Sequence, residues 1–163
     1  MSCNRRHALL LLAALPLAAC GFTPAYGPGG GADRLSHAVA VKAPVTRNDY
    51  LMTRQLEERL GRSAAARYKL DYDLTVDEER IAITANNITR RFNLVGKAEY
   101  RLMTLDGELI TKGQVESFTG YSATGTTVAT RAARADAEER LTTILADQIV
   151  TRLIAVGSSL PDA

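Results

Sequence analysis

The chain has 163 residues, with 20 Lys+Arg against 18 Asp+Glu and a formal net charge of +2. That length suits one domain with an ordinary core, and so weak a net field does not by itself recruit nucleic acid. Trp is absent and the cysteines, Cys3 and Cys20, both lie near the start, so the rest of the chain holds no thiolate metal site and no disulfide framework.

Taken in order, Arg5 and Arg6 precede an apolar run from Ala8 to Ala19 that ends in small residues, the form of an export signal. The run is shorter than the roughly 20 residues a membrane-spanning helix needs. Leu17-Ala18-Ala19-Cys20-Gly21 looks like a bacterial lipobox, in which the chain is cut before the cysteine. The sulfur then carries diacylglycerol and the new amine an acyl chain, a multi-chain anchor that holds stably where one chain is marginal. The expectation is a cleaved signal over residues 1–19 and a lipid anchor at Cys20. Losing Arg5 and Arg6 leaves equal numbers of basic and acidic residues. Gly21, in place of the Asp that commonly retains lipoproteins at the inner membrane, favours the outer membrane.

Residues 20–34 are rich in Gly and Pro and read as a flexible tether, with Phe22 and Tyr26 either packing on a partner or interface or remaining plain linker aromatics. Alternation from Leu35 to Val41 predicts a first strand, ended by Pro44, with His37 as a structural residue. Asn48 or Asp49 caps a helix that runs to Leu60 and stops at Gly61, its stripe made of Met52, Leu56 and Leu60. Arg67 to Val76 alternates as a strand with Tyr68, Leu70, Tyr72, Leu74 and Val76 on one face, and Ile81 and Ile83 either extend it or begin the return. Asn86-Asn87 is a turn signal. Arg90 to Met103 follows as the longest alternating run, with Phe92, Leu94, Gly96, Ala98, Tyr100 and Leu102 inward.

Asp106-Gly107 marks a hairpin, and Leu109 to Phe118 is its return strand, where Gly113 admits a helix or marks a bulge. Gly120 to Gly125 reads as a loop. Thr126 or Thr127 caps a last helix from about Val128 to Val156, and Ser158 to Ala163 is a polar tail. Residues 35–157 thus form a single α+β domain of order β-α-β-β-β-α. We expect a two-layer sandwich with both helices on one face of a four-stranded mixed or antiparallel sheet. The opposite face is left bare of helices.

No GxSxG, HExxH, Walker or Rossmann pattern follows Cys20, and the carboxylates near Asp136, Glu138 and Glu139 are interleaved with Arg131, Arg134 and Arg140. An enzyme is therefore disfavoured. A basic group on the long strand stands out: Arg90, Arg91, Lys97 and Arg101, with Lys112 on the hairpin partner. Alternation puts Arg91, Lys97, Arg101 and Lys112 on the bare face, where they either hold phosphates or carboxylates or pair with Asp71, Asp73, Glu99 and Glu116 across strands.

The opening Cys20-Gly21-Phe22-Thr23-Pro24-Ala25-Tyr26-Gly27 resembles the Cys-Gly-Phe-x-Pro-x-Tyr-Gly start of the lipopolysaccharide-assembly lipoproteins, LptE. The order of elements, with Arg54-Gln55-Leu56 and Leu60 in the first helix, is similar as well. The resemblance implies a non-enzymatic outer-membrane lipoprotein on the periplasmic side, forming a heterodimer with the LptD β-barrel as plug and assembly partner while lipopolysaccharide reaches the outer leaflet. It also implies lipopolysaccharide binding by basic residues of the sheet, here Arg90, Arg91, Lys97, Arg101 and Lys112. No cofactor is implied beyond the acyl chains on Cys20, and no nucleic acid. The alternative is an auxiliary periplasmic lipoprotein of another envelope lipid transporter.

Overall fold

Strict alternation of apolar and polar residues favours long strands with one wet face, and three such strands make up most of a four-stranded sheet. The computed structural model describes residues 24–83 and 89–160; the signal, Cys20 and the Asn86-Asn87 turn lie outside the described residues. In chain order the elements are α1 (Gly31–Leu35), β1 (Val39–Val41), α2 (Arg47–Leu60), β2 (Tyr68–Ile83), β3 (Thr89–Thr104), β4 (Leu109–Ser122) and α3 (Thr127–Gly157). The sheet order is β1-β2-β3-β4, with β1 parallel to β2 and the other pairs antiparallel. Parallel neighbours need a crossover, and α2 supplies it. The architecture is an α+β sandwich of helices against a mixed four-stranded sheet.

The core lies between the helices and the inward residues of the strands. Leu70, Tyr72, Leu94, Ala98 and Leu102 meet Met52 and Leu56 of α2 and Leu141, Leu145, Ile149 and Leu153 of α3, all almost fully buried. Each such Leu or Ile contributes about 1.5–3 kcal/mol by leaving water. Gly96 lets α3 come close: a β-carbon there would sit 2.9 Å from Leu141 Cδ2 and Leu145 Cδ1. Gly113 has a different role from the one its position suggested. It admits neither a helix nor a bulge, but leaves room for the ring of Tyr100, its cross-strand partner, whose hydroxyl would lie 2.7 Å from an added β-carbon.

Several boundaries differ from the sequence reading. The first strand spans only Val39–Val41, because Leu35 ends α1 and His37 takes a left-handed backbone (φ 54°) that breaks the alternation. His37 packs its ring against Gly61, and its Nδ1 lies 3.1 Å from the Arg62 carbonyl oxygen, a structural placement. Thr46, not Asn48 or Asp49, caps α2. Its hydroxyl accepts from Asp49 N while the Asp49 carboxylate accepts from Thr46 N, a closed capping box. Strand β4 runs on through Gly120 to Ser122, since Thr119 and Tyr121 are buried and extend its inward face beyond Phe118.

Within the segment read as a tether, residues 24–30 form successive turns and α1 packs on the end of α3. Gly157 makes this approach possible, because a β-carbon on it would stand 2.5 Å from the Gly31 carbonyl oxygen. Arg34 adds a donor to the carbonyl of Leu160, and Leu160 itself is buried.

Candidate functional site

The face of the sheet turned away from α2 and α3 carries the outward residues of β2, β3 and β4. The register sets Arg101 opposite Asp71 on one side and Lys112 on the other, Glu99 opposite Asp73 and Gln114, Lys97 opposite Thr75 and Glu116, and Arg91 opposite Ser122. Arg101 and Lys112 are therefore direct neighbours. Lys97 stands four residues from Arg101 and Arg91 ten, so at about 3.3 Å per residue the cations are strung along roughly 33 Å of strand. They do not converge on one point. Such a line suits an extended polyanion better than a single phosphate.

Two of the cations are already paired. Arg101 Nη2 lies 2.9 Å from Asp73 Oδ2, and Lys97 Nζ lies 3.7 Å from Glu116 Oε2. Arg91 and Lys112 have no ion-pair partner among the described residues. Arg90 falls on the other parity of β3, that of Phe92, at the end of the sheet, where its carbonyl accepts from Ala123 N and Ser122 Oγ. It shares no face with the other four.

Lys42 is a member that sequence reasoning missed. It follows β1, where no alternation marks it, and its Nζ donates to the Tyr72 carbonyl at 2.9 Å and to Asp73 Oδ1 at 3.3 Å. Hydrogen bonds from Lys42 and then Arg101 hold the Asp73 carboxyl below its ordinary range, outweighing the small cost of desolvation. Beneath it, Tyr72 OH donates to Asp49 O at 2.9 Å and lies 2.8 Å from Thr53 Oγ, and burial pushes this phenol up.

The same face has an apolar part. Phe118 is 65% exposed and stands opposite Val95. An open groove of about 560 Å³ runs past them, lined by Glu79, Asn93, Val95, Glu116, Ser117 and Phe118. On the helix side, Tyr121 stacks on Phe92 at 5.2 Å and donates to Glu78 Oε2 at 2.8 Å; burial and then the Glu78 carboxylate push its phenol up to about 12. The arginines and carboxylates of α3 do more than cover a wet helix surface. Glu138 pairs with Arg47 and Glu139 with Arg54, so these carboxylates tie α3 to α2, while Arg134 pairs with Glu138 within α3.

Among the described residues no group of His, Cys, Asp or Glu is placed to hold a metal ion, and no helix is long and apolar enough to cross a membrane. What this face offers is charge, hydrogen bonding and one aromatic foothold.

Residues 37–153 match the family LptE: Lipopolysaccharide-assembly. No curated protein matches the chain. Among solved structures, a lipoprotein candidate from Caulobacter crescentus CB15 is 28% identical, with a TM-score of 0.67 over 82% of this chain and 100% of that one. The rare lipoprotein B of Shewanella oneidensis shares the fold at 11% identity, with a TM-score of 0.57 over 75% of this chain and 96% of that one. A minor lipoprotein from Acinetobacter baumannii does so at 14% identity, with a TM-score of 0.55 over 77% and 93%.

Proposed function

Because the chain belongs to the LptE lipopolysaccharide-assembly family, we propose that it is an outer-membrane lipoprotein that plugs the LptD β-barrel and helps deliver lipopolysaccharide to the outer leaflet. In this reading residues 1–19 are the cleaved signal, acyl chains on Cys20 hold the domain on the periplasmic side, and residues 20–34 lead from the anchor into the domain. The protein acts by binding and positioning, without catalysis.

The observation that carries the reading is the sheet face that none of the described helices covers, attached to a core that matches the family almost from end to end. A plug needs a rigid body whose outer surface tolerates a polar lumen. A surface of alternating, largely ion-paired residues such as Asp73, Lys97, Arg101 and Glu116 meets that need. Arg91 and Lys112, lacking ion pairs among the described residues, are the first candidates for lipopolysaccharide phosphates, with Lys97 between them, Arg101 beside Lys112 and Arg90 at the sheet end.

Depleting the chain from cells tests this directly. Assembled LptD is expected to fall several-fold in the outer membrane, and its normal assembly in the absence of the chain would contradict the proposal.

A further inference from the structure

Strand β4 closes the sheet, and among the described residues its outer edge pairs with no other strand. Two arginines of α3 reach it from the helix side. Arg152 Nη1 donates to the Gln114 carbonyl, and Arg140 Nη2 donates to the Gly120 carbonyl at 3.2 Å. The β3–β4 register runs without a shift from Arg91↔Ser122 to Leu102↔Thr111, so outward backbone groups alternate. Those of Glu116 and Phe118 therefore point the same way, between the two arginines. The spacing matches on both elements, since the interval from Arg140 to Arg152 along the helix and from Gln114 to Gly120 along the strand are each about 18–20 Å.

The free edge of β2 is different. Lys42 caps the Tyr72 carbonyl, and Asp77, Glu78, Glu79 and Arg80 put charges at four consecutive positions further along, a common defence against strand pairing. From Gln114 to Gly120, β4 has only Glu116, which Lys97 neutralises, and it adds the exposed ring of Phe118 beside Val95. Its edge combines backbone donors and acceptors, an apolar foothold and a guanidinium at each end, that of Arg140 also paired with the exposed Asp136 on its own helix.

We propose that the β4 edge between Gln114 and Gly120 takes up an extended acidic segment of a partner chain as a fifth strand. Main-chain bonds to Glu116 and Phe118 supply affinity. Carboxylates six residues apart fall on one side of such a strand, the side of α3, and take Arg140 and Arg152 from their carbonyls as charge-assisted pairs. Intervening side chains on the other side lie against Phe118. A second copy of this chain fits poorly, because pairing β4 with itself over this window sets Arg152 of one copy against Arg140 of the other. The inference is independent of the barrel reading.

The test uses the full chain in detergent, isotope-labelled, with the peptide Asp-Val-Thr-Val-Thr-Val-Asp, capped at both ends, and a control ending in Lys. At about millimolar acidic peptide, amide exchange at Glu116 and Phe118 should slow at least tenfold or so, with no such effect from the lysine control. Arg140→Gln with Arg152→Gln, its spectrum otherwise preserved, should abolish the preference for acidic ends. Absence of protection at Glu116 and Phe118, equal protection by both peptides, or concentration-dependent self-association through this edge would overturn the proposal.

Discussion

At the scale of single residues, Asp73 links the sheet's two sides of charge. It sits on β2 with Lys42 reaching from one flank and Arg101 from the other. Its carboxyl is held down in the folded state, so its contribution to stability is present above the unfolded value near pH 4 and is lost as pH falls through the lower folded value. The side chain is 58% exposed, which screens the pairs. Asp73→Asn should therefore cost only a few tenths of a kcal/mol at neutral pH, and the difference from the parent should shrink as pH falls below the unfolded value and vanish once the folded carboxyl is protonated. Urea midpoints of both proteins across that range check the sign. A difference that grows on acidification would contradict the assignment of Asp73 as the anionic partner.

Among the elements, the strands were the most legible, because a period of two persists through β2 and β3 and fixes every inward residue from Tyr68 to Val76 and from Phe92 to Leu102. Helices α2 and α3 were legible in existence and stripe but α2 not at its start, where the capping box at Thr46 competes with two equally good caps just after it; α1 was not legible at all. The packing of α1 on α3 left no periodic signal, since it rests on glycines at 31 and 157 rather than on an apolar stripe. Of the candidate site, alternation revealed which cations share a face. Their pairing to Asp73 and Glu116 depends on strand register, which alternation alone does not give. Lys42, Arg140 and Arg152 were invisible because each reaches a backbone carbonyl across elements. The glycine contact makes a prediction of its own. Gly157→Ala puts a β-carbon against the Gly31 backbone, which cannot yield as a side-chain tip can. It should release α1, raising the rate of protease cleavage between Pro24 and Leu35 about tenfold while the sheet stays folded. Unchanged cleavage would mean that the glycine pair does not hold α1.

For the whole molecule, the helices cover one side and leave a charged, partly aromatic sheet face as the surface available to partners. If its cations contact lipopolysaccharide, Arg91→Asp together with Lys97→Asp should weaken binding about tenfold at low salt and less at high salt, with thermal stability nearly unchanged. Binding that ignores both the substitution and the salt would leave these residues as solvated cross-strand charges. Occupation of the barrel asks more of the fold, since the rigid domain, its uncovered face and the anchor proposed at Cys20 must act together. The most direct measurement is copurification of the full chain with LptD from the same cells in mild detergent. The account predicts a stable heterodimer that survives size-exclusion chromatography, and recovery of the lipoprotein alone, with LptD fully assembled beside it, would contradict it.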